Sequence, residues 1–365
     1  MPGKKQILHL VGYASRGGCE RCCEVFIRHS HEFRHRVVVL GGPGLMSAVW
    51  TELGATVEHL DILALGWVAF HLRLRAALHG REFDRAILWA GIRVPLVLAA
   101  LAPFHRPVAL HAGNPFSGSA RVRWALRAGR LLPRPRDLVI VGCSVHVARS
   151  YRHAPYYRHL PIESCLNPIE APAENPYRVR PLEAAGPVRL GMVARLDPIK
   201  DHAALLRAFA RLRAGWPQAE LHLAGDGPLR AALLAQVDAL GLGDAVKFHG
   251  SIADVPGLLR QLDLFVYFTT PLEGMGNALA EALACGLPAV VSDIGVMHEV
   301  GGEGEECAVQ FTAPDPVTAA DNIDRLLRDA PARADLSQRA HARAVAWFSP
   351  RRVVERYLAL MEAET

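Results

Sequence analysis

The chain has 365 residues, too many for one ordinary core and suited to two domains of roughly 150–200 residues each. Its 51% hydrophobic and 21% charged residues exclude a disordered or fibrous protein. A net charge of +5 hides an asymmetry, because residues 1–180 hold 24 Lys and Arg against 12 Asp and Glu (+12) and the remainder holds 17 against 24 (−7); the basic half suits an anionic partner such as a phosphate-bearing acceptor or a membrane surface, or simply spreads arginine over solvated faces.

The first expected element is a strand over residues 6–11, ending in the turn Arg16-Gly17-Gly18 and followed by a helix over 20–31. Cys19, Cys22 and Cys23 fall there, but the second CxxC or His pair that a closed zinc site needs is missing, so they read as thiols on a helix face. Seven cysteines spread over a long chain do not make a disulfide framework. The rhythm continues with strands at 36–40, 56–59, 85–89, 107–111 and 138–143, and helices near 45–53, 67–79 and 144–151, the last capped by Ser144. The apolar run 7–11 is too short for a signal core, and the stretch 86–104 carries Arg93, Pro95 and Pro103, which fits a buried strand and helix better than a membrane span. A cytoplasmic protein is expected. The basic segment 121–136, with apolar residues between its arginines, suggests peripheral association with an anionic membrane or a solvated helix.

Residues 155–187 contain seven prolines and little periodicity, the composition of a linker. Beyond it come strands at 188–193, 220–224, 246–250, 264–267 and 289–292, alternating with helices at 202–214, 228–240, 255–261 and 276–284, then a last stretch of helices. Strands alternating with helices imply parallel sheets covered on both faces, hence an α/β protein of two Rossmann-like domains with ligands at the carboxyl ends of the strands, facing a cleft.

The most informative segment is Glu273-Gly274-Met275-Gly276-Asn277-Ala278-Leu279-Ala280-Glu281. A helix start near Gly276 offers backbone N–H groups and the positive end of its dipole to a diphosphate. Glu273, just before it, can accept hydrogen bonds from sugar hydroxyls, and Glu281, on the same side, can grip a ribose diol. Gly274 and Gly276 allow close approach to the backbone. In Gly225-Asp226-Gly227-Pro228, Asp226 is expected to cap a helix and Pro228 to sit near its first position.

The two glutamates with seven residues between them, followed by Ala282-Leu283-Ala284-Cys285-Gly286-Leu287-Pro288, resemble the retaining glycosyltransferases of the GT-B fold, family four (glycosyl transferases group 1). That resemblance implies that Glu273 contacts the donor sugar, that the amides of Gly274, Met275, Gly276 and Asn277 hold sugar and phosphate, and that Glu281 binds the ribose. Gly191-Met192-Val193-Ala194-Arg195-Leu196-Asp197-Pro198-Ile199-Lys200 resembles the family's segment whose Arg and Lys clamp the two phosphates, making Arg195 and Lys200 the charges that stabilise the leaving diphosphate. Phe248-His249-Gly250 falls where the family holds the nucleobase, mainly through backbone. In the N-terminal half Gly17-Gly18-Cys19-Glu20 resembles a loop near donor phosphates and acceptor, which places Gly18 in the donor site, and His111 resembles a histidine that bonds a donor-sugar hydroxyl. Asn167-Pro168-Ile169-Glu170 resembles an interdomain hinge, with Pro168 in place of the usual Gly.

The expected domains are thus 1–168 for the acceptor, 169–345 for the nucleotide sugar, and 346–365 as a C-terminal helix packing back on the first. The implied reaction moves a hexosyl unit from a UDP- or GDP-sugar to a hydroxyl of a glycan, lipid-linked or small-molecule acceptor. No DxD triplet occurs in the chain, so a metal-independent, cofactor-free reaction is expected, with Arg195, Lys200 and helix amides in the metal's role. Competing readings are an epimerase or phosphorylase on the same scaffold, or a two-domain sugar-binding protein without chemistry. No nucleic-acid partner is expected.

Overall fold

The computed structural model describes residues 4–15, 17–89, 91, 93–116, 126–127, 129–180, 182, 186–313 and 315–362. These form two compact units, residues 1–168 with 350–365, and residues 169–349. Of the basic segment 121–136, residues 121–125 and 128 lie outside the described residues, and no described helix is long and apolar enough to cross a membrane.

In the first unit, seven strands among the described residues form a parallel sheet of order β3-β2-β1-β4-β5-β6-β7. They are β1 Gln6–Val11, β2 Arg34–Val39, β3 Thr56–His59, β4 Arg85–Leu88, β5 Val108–Ala112, β6 Leu138–Gly142 and β7 Ile162–Ser164. Leu8 pairs with Arg36 on one side and Ala86 on the other, so β1 and β4 are neighbours although two strands intervene in sequence. The chain therefore runs outward from β1 to β3 and returns at β4, the switch point beside which such sheets bind ligands. Helices α1 Gly18–Arg28, α2 Leu45–Glu52, α3 Trp67–Leu78, α4 Val94–Leu101 and α5 Val145–Arg152 connect the strands, and a C-terminal helix, Pro350–Glu362, closes the unit. The buried side chains of that helix, Val353, Val354, Tyr357 and Met361, join the core cluster of Phe26, Trp50 and Trp89.

Two histidines sit in this core with every ring nitrogen engaged. Trp89 Nε1–H donates to His9 Nδ1 at 3.0 Å, since indole can only donate. His9 then carries its proton on Nε2 and donates to His35 Nδ1 at 3.0 Å, which leaves His35 Nε2–H to donate to the Ser30 carbonyl at 3.0 Å. The chain of donors is complete with both rings neutral. Burial pushes the pKa of each down, further so for His9.

In the second unit, the six-stranded parallel sheet among the described residues has the order β10-β9-β8-β11-β12-β13. Its strands are β8 Val188–Val193, β9 Ala219–Ala224, β10 Val246–Gly250, β11 Leu264–Tyr267, β12 Ala289–Ser292 and β13 Gln310–Thr312. The switch point lies between β8 and β11, which pair through Leu264 with Leu190 and Phe265 with Gly191. Connecting helices are α6 His202–Leu212, α7 Arg230–Ala239, α8 Val255–Leu259, α9 Asn277–Ala284, α10 Gly295–Gly301, α11 Pro316–Arg328 and α12 Ala330–Trp347; the helix Pro350–Glu362 is α13.

Both parallel α/β sheets expected from the sequence are present. Strands β7 and β13 were not expected, because each has three residues, too few to show alternation, and β7 lies within the proline-rich stretch. Helix α1 ends at Arg28, short of residue 31: Ser30 Oγ folds back onto the Phe26 carbonyl at 2.5 Å and takes an acceptor that would continue the helix. Asp226 does not cap α7, whose N-cap is Leu229; its carboxylate instead accepts from the next backbone N–H, that of Gly227, at 2.8 Å.

Candidate functional site

In the second unit three loops leave the carboxyl ends of β8, β9 and β11 and are stitched together by backbone. Leu196 N–H donates to the Asp226 carbonyl at 3.0 Å, and Leu229 N–H donates back to the Leu196 carbonyl at 3.0 Å. Asp201 N–H donates to Phe268 O at 3.1 Å, and Thr270 N–H to Ile199 O at 3.0 Å. The approach is so close that a Cβ on Gly225, at φ +135°, would lie 1.9 Å from the Ala194 carbonyl oxygen. Only glycine fits there. Asp201 ends the first loop by capping α6, accepting from Ala204 N–H at 3.0 Å.

This stitching brings Lys200 and Glu273 into direct contact. The Lys200 ammonium is ion-paired with Glu273 Oε2 and donates to the Tyr267 hydroxyl at 2.6 Å. The Tyr267 hydroxyl in turn donates to Glu273 Oε2 at 3.0 Å, and Thr269 Oγ1 donates to the same oxygen at 3.0 Å. Glu273 Oε1 accepts from Gly274 N–H at 3.0 Å. Glu273 is 5% exposed, and burial alone would push its carboxyl up; the charge of Lys200 and the hydrogen bonds from Lys200, Tyr267 and Thr269 outweigh this and hold the pKa below the ordinary value. The carboxylate is therefore ionised, with Oε2 saturated and Oε1 holding a lone-pair position for one more donor.

Gly276 takes the left-handed conformation at φ +78°, and a Cβ there would meet the Tyr267 ring at 3.0 Å. It serves as N-cap of α9, which begins at Asn277 and has no side-chain cap among the described residues. A helix leaves its first four N–H groups without intrahelical acceptors, so Gly274, Met275, Gly276 and Asn277 lead into a start suited to an anion. Glu281, in the second turn, is 8% exposed. Arg195 differs from its partners: its side chain is 71% exposed and pairs loosely with Asp197 at 3.6 Å. Ordinary sequence reading missed Tyr267 and Thr269. Their signal was a hydroxyl ending an otherwise apolar strand and a second one two residues on, in the loop.

In the first unit, Gly18 is the first residue of α1, which Gly17 precedes as an N-cap without a side-chain hydrogen bond. His111 lies in β5 and is 2% exposed. Its Nδ1 shares a hydrogen bond of 2.5 Å with the hydroxyl of Tyr357 from α13, a residue the sequence did not single out. Burial takes the His111 pKa down to about 4, so the ring is neutral at physiological pH. All seven cysteines are free thiols, and burial pushes Cys19 up to about 12 and Cys22 and Cys23 well above the ordinary thiol value. Among the described residues, no group of three His, Cys, Asp or Glu side chains is placed to hold a metal ion.

Residues 175–343 match the family model of the glycosyl transferases group 1. N-acetyl-alpha-D-glucosaminyl L-malate synthase of Bacillus anthracis is 30% identical over 168 residues, 45% of this chain and 42% of that protein. D-inositol 3-phosphate glycosyltransferase of Salinispora tropica is 34% identical over 175 residues, 43% of this chain and 35% of that protein. The chain thus matches less than half the length of these relatives. Among solved structures, HepE of Anabaena in complex with UDP and glucose superposes with a TM-score of 0.81 at 22% identity, covering 98% of this chain and 99% of that one. That likeness shows the GT-B fold.

Proposed function

With residues 175–343 matching the glycosyl transferases group 1, we propose that the chain is a retaining glycosyltransferase that moves a hexosyl unit from a nucleoside diphosphate sugar to a hydroxyl acceptor. The observation that carries the reading is the Lys200–Tyr267–Glu273–Thr269 constellation at the head of α9. Glu273 Oε1 accepts a donor-sugar hydroxyl, the amides from Gly274 to Asn277 take sugar and phosphate oxygens, and Glu281 takes the ribose diol. Lys200 and the exposed Arg195 meet the diphosphate, whose charge grows as the glycosidic bond breaks. These charges and amides do the work that a divalent cation does elsewhere.

Glu273 is an orienting and charge-stabilising group, not a nucleophile. Four donors, from Lys200, Tyr267, Thr269 and Gly274, already engage its oxygens, and an anion so solvated attacks carbon poorly. The acceptor oxygen instead forms its bond to the anomeric carbon on the face from which the diphosphate leaves. The carbon–oxygen bond to phosphate breaks with its electron pair, and the acceptor's proton passes to the departing phosphate oxygen. His111 and the Gly18 turn serve substrate from the first unit, His111 as a hydrogen-bonding group toward a hydroxyl. A UDP-sugar is the first donor to try, since HepE was solved with UDP and glucose.

The test is release of nucleoside diphosphate from a panel of UDP-, GDP-, ADP- and dTDP-sugars with glycan, lipid-linked and small hydroxyl acceptors, with proton NMR of the product's anomeric centre. Transfer with the donor's anomeric configuration kept is the expected result. Inverted product refutes the retaining step, and release of nucleoside diphosphate from no donor refutes the whole reading.

A further inference from the structure

His111 of β5 meets Tyr357 of the C-terminal helix inside the first unit. Tyr357 is 1% exposed, its ring stacked on Trp89 with centroids 5.9 Å apart and on His111 at 6.3 Å. Its hydroxyl lies 2.5 Å from His111 Nδ1 and has no other hydrogen-bond partner among the described residues. A buried hydroxyl needs an acceptor for its proton. If Nδ1 carried hydrogen and donated to the phenol oxygen, the phenol proton would have nowhere to go. The arrangement that satisfies both groups has Tyr357 O–H donating to an unprotonated Nδ1, which leaves the ring's single proton on Nε2.

Nε2 is buried and lacks a hydrogen-bond partner among the described residues. A Cβ placed on Gly113 would lie 3.7 Å from Nε2 and 3.2 Å from Cys19 Sγ, so Gly113 and the first turn of α1 flank the nitrogen. A buried donor without an acceptor is costly, so an acceptor oxygen of a substrate is a favourable partner for it. We propose that Tyr357 is a positioning residue that locks His111 as its Nε2–H tautomer, so that His111 meets substrate as a hydrogen-bond donor to a hydroxyl or phosphate oxygen. The proposal rests on the glycosyltransferase reading for its substrate, but the tautomer itself does not. Trp89, anchored by His9, backs both rings and keeps the pair from rotating away.

The decisive variant is Tyr357→Phe, which keeps the packed ring and deletes the hydroxyl. Nitrogen-15 NMR of the wild-type chain, with the His111 signals identified by their loss in His111→Gln, should show an unprotonated Nδ1 and a protonated Nε2. In Tyr357→Phe the Nδ1 hydrogen bond vanishes and both tautomers are populated. In turnover, Tyr357→Phe should lower kcat about tenfold, equivalent to about 1.4 kcal/mol, with the donor KM within about twofold. The acidic limb of kcat/KM should move to higher pH. In a His111→Gln background, where an amide N–H2 replaces Nε2 and no Nδ1 remains, the same substitution should change kcat by less than about twofold. A wild-type Nδ1–H tautomer overturns the proposal, as does an equal loss of kcat in both backgrounds, which would make Tyr357 a packing residue. Should the wild-type chain transfer no sugar, the activity reading fails, and the NMR tautomer still decides the role of Tyr357.

Discussion

Removing both members of the Lys200–Glu273 pair should cost less than the two single losses added together. The two side chains retain 13% and 7% of their accessibility, so a survivor keeps its charge with little water to replace the lost partner. Breaking such a pair typically costs about 3–5 kcal/mol. Lys200→Met leaves Glu273 with donors from Tyr267, Thr269 and Gly274, which puts the loss at the lower end, about 3 kcal/mol. Glu273→Gln leaves the ammonium with the Tyr267 hydroxyl and ring and an amide oxygen, at a cost of about 2 kcal/mol. The double variant should lose no more than the worse single, a coupling of about 2 kcal/mol, read from urea unfolding midpoints at constant slope. A change in pH dependence accompanies it. In the wild type the lowered Glu273 pKa gives stability that is present above the unfolded value of 4.5 and is lost as pH falls through the folded one. Lys200→Met removes the largest of the effects that lower this pKa, so the loss of stability on acidification should be smaller in the variant than in wild type. Strict additivity of the singles, or an unchanged pH slope, would refute the pairing.

Acid should weaken the first unit through its neutral histidines. Burial depresses the folded pKa of His9, His35 and His111, so their stabilisation is complete above the unfolded value of 6.5 and is lost as pH falls toward the folded values. Each ring that stays neutral costs about 1.4 kcal/mol one pH unit below that point, and a melting temperature that holds constant from about pH 7.5 to 5.5 would contradict it. Gly225→Ala, with its methyl driven against the Ala194 carbonyl at φ +135°, should destabilise by at least about 2 kcal/mol; denaturant unfolding within about 0.5 kcal/mol of wild type would count against the stitched loops. Arg195→Ala removes an exposed side chain, so melting should be unchanged while kcat falls about a hundredfold; an unaltered kcat would remove Arg195 from the site.

The sequence showed those parts of the site that follow one continuous stretch of chain. Glu273, the turn at Gly276 and α9 lie within twelve residues and declare themselves by glycine placement and helix start. Lys200 was visible as a phosphate ligand, but its pairing with Glu273 depends on backbone bonds joining loops about seventy residues apart, which no local pattern reports. Tyr267 ends an apolar strand and Tyr357 lies on the buried face of an amphipathic helix, so each reads as core until its hydroxyl is seen to meet a partner. Asp226 shows the converse. A residue with the right chemistry for a cap was drawn into its own turn because the helix starts later, at Arg230.

The central claim is that the second unit binds a nucleoside diphosphate sugar through Lys200, Glu273 and the start of α9. Thermal unfolding of the whole chain with UDP-, GDP-, ADP- and dTDP-sugars tests it most directly, because a ligand at ~100 times its Kd adds about 2.7 kcal/mol to the state that binds it. At least one donor should raise the melting temperature in wild type and lose most of that shift in Glu273→Gln. No shift with any donor, or an equal shift in Glu273→Gln, would contradict it.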